Sequence, residues 1–547
     1  MTKRSRTRAS RWAAAALSLA IVVAACGGDD DDDDAGDSAP AATEADDSTT
    51  EASAPGTAGD TTGDSEGDAG TVPAGDEDAT LRYGAANLPS RLDPHRSSNG
   101  YDQNYLAPVY ERLIHQTPNA EPEPGLATEW EFVDDLTFEM TLREGVTFSD
   151  GTPFNAEVVK ANFERATTVE GSGVHAYLAS VDSVEVIDEY HVRFHLNRPD
   201  ATLPNQLATR PGMQVSPAAF DNPNLDYEPV GTGPYVLREY RDGEVAIYDR
   251  NPDYWDEEWT GPAHLEIWYF PDAQTRLNAL QSGQIDAAPL DVTQIDQVQR
   301  EGRFNVDVYQ TIETYHFQPD RTKSEFGNPL VRHAISHAID REAIVEGLML
   351  GYATAATQWV APDTPYYVED LGDSTTYDLE RARELMAEAG LEDGFSFTAG
   401  SSVQPVFQRL AEILQAQLAE INIEMKVEQN PQLADAFFVQ NAYDAIVSAY
   451  PGRIDPSETT QIYFNRESFS NPGREIAQEV EDAWLEALKP GEGRDAAQEQ
   501  LLRAIDEAMP NIPILYPKVG LAYSDAVQGL EWYLTGHIEF EGVSVTR

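Results

Sequence analysis

Cysteine is nearly absent: the 547 residues contain one, Cys26. A single thiol cannot close an intrachain disulfide, nor supply the cysteine pair of a zinc site. Basic residues are also scarce, 37 Lys and Arg against 95 Asp and Glu, for a net charge of −58. Phosphate backbones are held by clustered Lys and Arg, so this balance argues against a nucleic-acid partner. The apolar run at residues 12–25 is 14 residues long, short of the ~20 needed for a bilayer-spanning helix. A supported nucleophile–base motif is missing too. Gly63-Asp64-Ser65-Glu66-Gly67 fits G-x-S-x-G, but it sits in acidic low-complexity sequence without the strand–turn–helix context that chemistry requires. No catalytic residue, metal site or cofactor is therefore assigned, and the chain is read as a non-enzyme.

The charge that is present is unevenly placed. Lys3, Arg4, Arg6, Arg8 and Arg11 precede the apolar run, which ends at Val23-Ala24-Ala25-Cys26. Basic, apolar and small-residue segments in that order are a signal peptide, and the last four residues resemble a bacterial lipobox with Cys26 as the acylated residue. The competing reading is an ordinary secretory signal with an incidental cysteine. Residues 27–80 hold 18 Asp and Glu, no Lys or Arg, and almost no large apolar side chain. Such a segment cannot bury enough surface to offset its ordering entropy and is expected to be a disordered, self-repelling tether over residues 26–79. From residue 81 onward 77 acidic residues still face 32 basic ones. A salty habitat and a positively charged substrate both account for that excess.

The most tightly specified stretch of the body is residues 136–166. Leu136, Phe138, Met140 and Leu142 alternate with Thr137, Glu139 and Thr141, the period of a half-buried strand. Ser149 to Pro153 is a turn cluster. Asn155 is placed as an N-cap, with Glu157 in the first turn and Phe154 and Val159 at the spacing of a hydrophobic staple. Tyr190, Val192, Phe194 and Leu196 alternate with His191, Arg193 and His195, so both histidines are expected on a solvated strand face rather than on a metal. His333 and His337 share a helix face at i,i+4 without a third ligand, and packing is the favoured reading. A helix is expected over 103–113, a long β-like run over 303–318, and alternating helices and strands beyond it, which favour a mostly parallel sheet.

Residues 142–165, LREGVTFSDGTPFNAEVVKANFER, resemble the signature segment of the extracellular solute-binding proteins of ABC importers, family 5, the oligopeptide/dipeptide/nickel class. Leu92-Asp93-Pro94, Val230-Gly231-Thr232-Gly233-Pro234-Tyr235, Asn251-Pro252-Asp253-Tyr254-Trp255, the run from Ala279 to Asp286 and the passage from Pro329 to Arg341 continue the resemblance in the family's order. It implies an α/β fold of two lobes, type II of the periplasmic-binding-protein class, with mixed sheets, a two-strand hinge and an extra α+β subdomain. The expected division is a signal peptide at 1–25, the tether at 26–79, and a first lobe at 80–314 carrying the subdomain at about 125–220. A second lobe follows at 315–518, and 519–547 return to the first. Hinge crossings are expected near residues 315–319 and 517–521.

The resemblance implies a receptor anchored outside the cytoplasmic membrane through Cys26. It would act as a monomer, capture a small solute such as a peptide between its lobes, and deliver it to ABC permease subunits. A sensing or adhesion lipoprotein is the alternative. In peptide-binding members an acid shortly before an Asp-Pro receives the peptide amine. Here that loop reads Ala449-Tyr450-Pro451-Gly452-Arg453-Ile454-Asp455-Pro456, with Tyr450 at the usual tryptophan and Arg453 near the place of the acid. A guanidinium suits a carboxylate or phosphate, not an amine, so Arg453 is expected to face an anionic or polar ligand group; pairing with Asp455 or a surface carboxylate is the equal alternative. Tyr101, Arg210, Gln214 and Tyr315, then Gln358, Trp359 and Ser401, complete the cleft candidates with Tyr450, Arg453 and Asp455, since aromatic residues with polar tips suit binding clefts.

Overall fold

A computed structural model of the chain describes residues 78–546. The expected signal peptide, Cys26, the G-x-S-x-G match and nearly all of the tether lie outside the described residues.

The strand–turn–helix unit forms as its periodicity dictates. Thr137–Leu142 buries Phe138, Met140 and Leu142 on one face. Asn155 caps the helix Ala156–Thr168 by accepting from the Val158 amide at 3.2 Å, a contact worth ~1 kcal/mol. Phe154 and Val159 are buried in the same core. Asn162, a polar residue on the buried face, is satisfied by the Val158 and Val215 carbonyls and the Val215 amide. A four-stranded antiparallel sheet, ordered Ala127–Asp134, Thr137–Leu142, His191–Leu196, Val181–Asp188, covers this helix. His191 and His195 point to the exposed side of that sheet, where they meet Asp188 at 2.7 Å and Glu185 at 2.9 Å.

The large sheet is organised by one strand, Ile512–Tyr523. Its first half pairs antiparallel with Thr314–Pro319 and Ala353–Ala355, its second half with Asn305–Gln310 and Ala287–Leu290. Ile512, Ile514 and Leu515 belong to one apolar core, which includes Phe317 and Leu414; Leu521 belongs to another, which includes Tyr83 and Ile267. A continuous strand thus joins two separately packed halves. The partner switches between Pro517 and Lys518. Residues 303–318 do not form the single expected run: the pairing breaks at 311–313, between Asn305–Gln310 and Thr314–Pro319, a few residues ahead of Tyr315.

One other expectation is shortened by proline. The helix expected over 103–113 stops after Gln103–Leu106, because Pro108 has no amide hydrogen and disfavours helical geometry before it; Tyr105, Val109 and Leu113 are buried regardless. The helix Gln478–Ala487 begins beyond the kinked segment Pro472–Arg474. The glycines of Val230–Tyr235 have a steric reason. A Cβ on Gly231 would sit 2.1 Å from the Val109 carbonyl oxygen, and one on Gly233 2.6 Å from the Val109 carbonyl carbon. Gly233 donates to that same carbonyl at 2.8 Å.

Candidate functional site

A cavity of about 320 Å³ opens between the two halves. Gly100, Gln103, Tyr177, Gln206 and Arg210 line it from one half, and Arg453 and Glu458 from the other. Arg453 is delivered by the turn that follows the strand Ala445–Tyr450. That turn passes tightly over the break in the other connection: Gly452 has φ +70°, and a Cβ there would lie 1.8 Å from the Ile312 carbonyl oxygen. Only glycine tolerates both the left-handed backbone and the contact.

The Arg453 guanidinium donates to the Gly452 carbonyl at 2.5 Å and to the Tyr177 hydroxyl at 3.2 Å, and its Nε lies 3.7 Å from Glu458 Oε2. Burial disfavours its charge, but Tyr177, Tyr450 and Glu458 outweigh burial and hold its pKa above the ordinary arginine value. Arg210 is 6% exposed and donates to the Ser97 carbonyl and, at 2.9 Å, to the Ser97 hydroxyl. Burial, reinforced by the like charge of Arg453, lowers its pKa. Two guanidinium groups therefore share one cavity, bonded mainly to neutral oxygens, in a protein that is otherwise strongly acidic.

Glu458 is 6% exposed. Burial, with Asp455 adding to it, pushes its carboxyl up to about 8 in spite of the opposing Arg453. Asp455 is differently employed. It is fully buried, caps the helix Pro456–Thr459 through the Ser457 amide at 2.9 Å, accepts from Gln498 at 2.9 Å, and pairs with Arg494. Its role in the structure is to hold the loop that presents Arg453.

Of the ten residues singled out from sequence, Arg210 and Arg453 line this cavity. Tyr101 lies beside it and donates to Glu313 Oε1 at 3.5 Å; burial raises the Glu313 carboxyl to about 7. Tyr450 is buried against Tyr463, with its hydroxyl bonded to Thr459. Trp359 packs on His316, Tyr450 and Phe464 as a core anchor. Gln358 bonds both ways to the Val368 backbone, Ser401 donates to the Phe407 carbonyl, Gln214 donates to the Gly212 carbonyl, and Tyr315 packs on Phe407. None of these six polar or aromatic residues is among those lining the cavity. Sequence reasoning missed Tyr177, Gln103, Gln206 and Glu458; for Glu458 the available signal was an acid three residues after Asp455 in the motif already singled out.

His333 and His337 bond to the Glu507 and Thr376 carbonyls instead of to one another's neighbours. Among the described residues no group of three or more His, Cys, Asp or Glu is arranged to hold a metal ion, and no helix is long and apolar enough to cross a membrane.

Two packed halves joined by paired strands around a shared cavity define a two-lobed solute-binding fold of the periplasmic type. The structure of HbpA2 from Haemophilus parasuis superimposes with a TM-score of 0.74 at 26% identity, over 86% of this chain and all of that one. DppA from Helicobacter pylori in complex with the peptide STSA superimposes with a TM-score of 0.75 at 23% identity, over 86% of this chain and 98% of that one. The family model "Bacterial extracellular solute-binding proteins, family 5 Middle" matches residues 121–471. The chain belongs to that family. A glutathione-binding protein, GsiB, from Salmonella typhi is 32% identical over 344 residues, 61% of this chain and 66% of that protein, just under two thirds of its length. GsiB from Escherichia coli is 28% identical over 467 residues, 80% of this chain and 89% of that protein.

Proposed function

We propose that this chain is the substrate-binding component of an ABC import system that captures a small, peptide-like solute carrying an anionic group and passes it to a membrane permease. The observation that supports this reading is the pair Arg453 and Arg210 in one cavity, approached from opposite lobes and bonded mainly to neutral oxygens. A ligand carboxylate offers the bidentate partner that such guanidinium groups lack. Capture follows by population shift: a solute that touches Arg210 on one lobe and Arg453 on the other contacts both only when the cleft is shut, so it stabilises the closed form. Nothing in that cycle alters the solute covalently, and the chain is read as a carrier, not an enzyme.

The lobe boundaries near residues 314 and 518, the lipid anchor at Cys26 and the monomeric state belong to the same proposal. The relatives named for glutathione, a peptide with two carboxylates, make it the first solute to try. Native mass spectrometry of the full chain purified in detergent should reveal a co-purified solute, and calorimetry should then measure it and glutathione. Arg453→Ala is expected to weaken binding of the bound solute by about 2 kcal/mol, roughly 30-fold. Unchanged affinity would discard Arg453 as an anchor and leave it as a partner of Glu458. A solute recovered chemically changed would end the carrier reading.

A further inference from the structure

We propose that Tyr177 is a specificity-determining residue of this cavity: its hydroxyl donates to the anionic group of the solute that Arg453 receives, so that a carboxylate is preferred to a neutral acceptor. This rests on the reading of the cavity as the solute site. Tyr177 and Arg453 both line the cavity, one from each lobe. Tyr177 is half-buried and the Arg453 side chain is 25% exposed, so neither is sealed in a core.

The direction of the hydroxyl hydrogen follows from its neighbours. Arg453 Nη2 donates to the Tyr177 oxygen at 3.2 Å, and the guanidinium carbon stands 6.0 Å from the centre of the tyrosine ring. Arg210 is near enough for Tyr177 to favour its charge against burial. A guanidinium has no acceptor, so neither arginine can take the phenolic hydrogen, and their positive charge turns it away from them. Among the described residues the hydroxyl meets a donor, Arg453, and no acceptor. Arg453 itself spends N–H groups on the Gly452 carbonyl and on Tyr177, and a guanidinium carries five. The Tyr177 O–H and the remaining Arg453 N–H groups are thus adjacent donors, with heavy atoms 3.2 Å apart, which the two oxygens of one carboxylate can bridge.

The backbone sets this arrangement in advance. Tyr177 lies in the short turn His175–Leu178, and Leu178 and Val174 are buried in the core of the subdomain. Just ahead of them Gly173 donates to the His95 carbonyl at 2.9 Å, and a Cβ there would lie 1.9 Å from the Ser97 carbonyl oxygen. Ser97 is the residue whose carbonyl and hydroxyl hold Arg210. One close backbone approach therefore positions both Tyr177 and Arg210. Across the cleft, the Ala201 amide donates to the Leu488 carbonyl at 2.9 Å. That bond ties the subdomain to the second lobe through backbone alone, so removing the Tyr177 hydroxyl takes away a donor and leaves this contact between the lobes standing.

The test is calorimetry on the full chain in detergent with glutathione and a set of di- and tripeptides, each as the free acid and as the C-terminal amide, weak amides being titrated by displacement of their acid. Amidation removes a negative charge and keeps a carbonyl acceptor. Tyr177→Phe removes the hydroxyl and keeps the ring. It should weaken the acids roughly tenfold and the amides by less than about threefold, because hydrogen bonds to charged groups are the stronger. An equal loss for acids and amides, the mark of a contact that only holds the lobes together, would overturn the donor role of Tyr177, and so would no loss at all. Either result leaves the solute-binding reading intact. Failure of every free acid to bind the unaltered chain would overturn both.

Discussion

Gly452→Ala places a methyl group where the turn carrying Arg453 crosses the connection between the lobes, and its cost can be worked from the structure. At φ +70° the left-handed backbone costs an L-residue about 1 kcal/mol. The new Cβ would lie 1.8 Å from the Ile312 oxygen and 2.4 Å from its carbonyl carbon. Both neighbours are backbone, so the turn must move by more than an ångström; overpacking of this kind adds about 1–3 kcal/mol. The total is about 2–4 kcal/mol. With an unfolding entropy of ~2.1 cal/mol/K per residue over about 470 residues, roughly 1 kcal/mol/K, the melting temperature should fall by about 2–4 °C. Gly145→Ala is the control, since Gly145 has φ +77° and nothing within 4 Å of its Cβ position; it should show the backbone cost alone. Calorimetric melting of both variants separates the two contributions. Because Ile312 lies in the inter-strand break and Arg453 is the next residue, Gly452→Ala should also weaken solute binding at least tenfold. If the two variants melt within about 0.5 kcal/mol of one another, the close approach, and with it this account of the hinge, is wrong.

Three further outcomes follow from the charges. Arg341 is 4% exposed and donates to the Pro513, Ser336 and Thr375 carbonyls, with no carboxylate partner among the described residues; Arg341→Met should strand those oxygens and cost about 3–5 kcal/mol in urea unfolding. Glu539, for which burial alone would raise the pKa, is held below the ordinary carboxylate range by Arg112 at 2.6 Å and His537 at 2.9 Å. A lowered folded pKa gives stability that is complete above about 4.5 and lost progressively as pH falls from there through the folded value, so Glu539→Gln should destabilise at pH 7 and less, though still measurably, at pH 3. Glu458 is raised to about 8 in surroundings that include Asp455, Arg453, Asp200 and Arg494. A carboxyl whose folded pKa is raised costs stability as pH rises from about 4.5 toward 8, so Glu458→Gln should be more stable relative to the unaltered chain at pH 8 than at pH 4; urea unfolding at the two pH values measures this, and an equal difference at both would contradict it.

The sequence by itself determined the local architecture and the family. Alternation from Leu136 to Leu142, the Asn155 cap and the staple at Phe154 and Val159 specify a strand–turn–helix because each depends on neighbours a few positions apart, and so does the solvated face of His191 and His195. Composition likewise argues against a nucleic-acid partner. What the sequence could not decide was which polar groups are spent on structure. Asp455, Tyr450 and Gln358 read as cleft residues until Arg494, Thr459 and Val368 are seen to occupy them. Arg453 meets Tyr177, 276 positions away, and Glu458 shares a cavity with Gln103 and Gln206 only because the strand Ile512–Tyr523 fixes how the two lobes face each other. Periodicity is written into adjacent residues; a pairing across hundreds of residues is set by sheet register and lobe placement, and whether a buried oxygen is left over for a ligand is known only once every other partner has been placed.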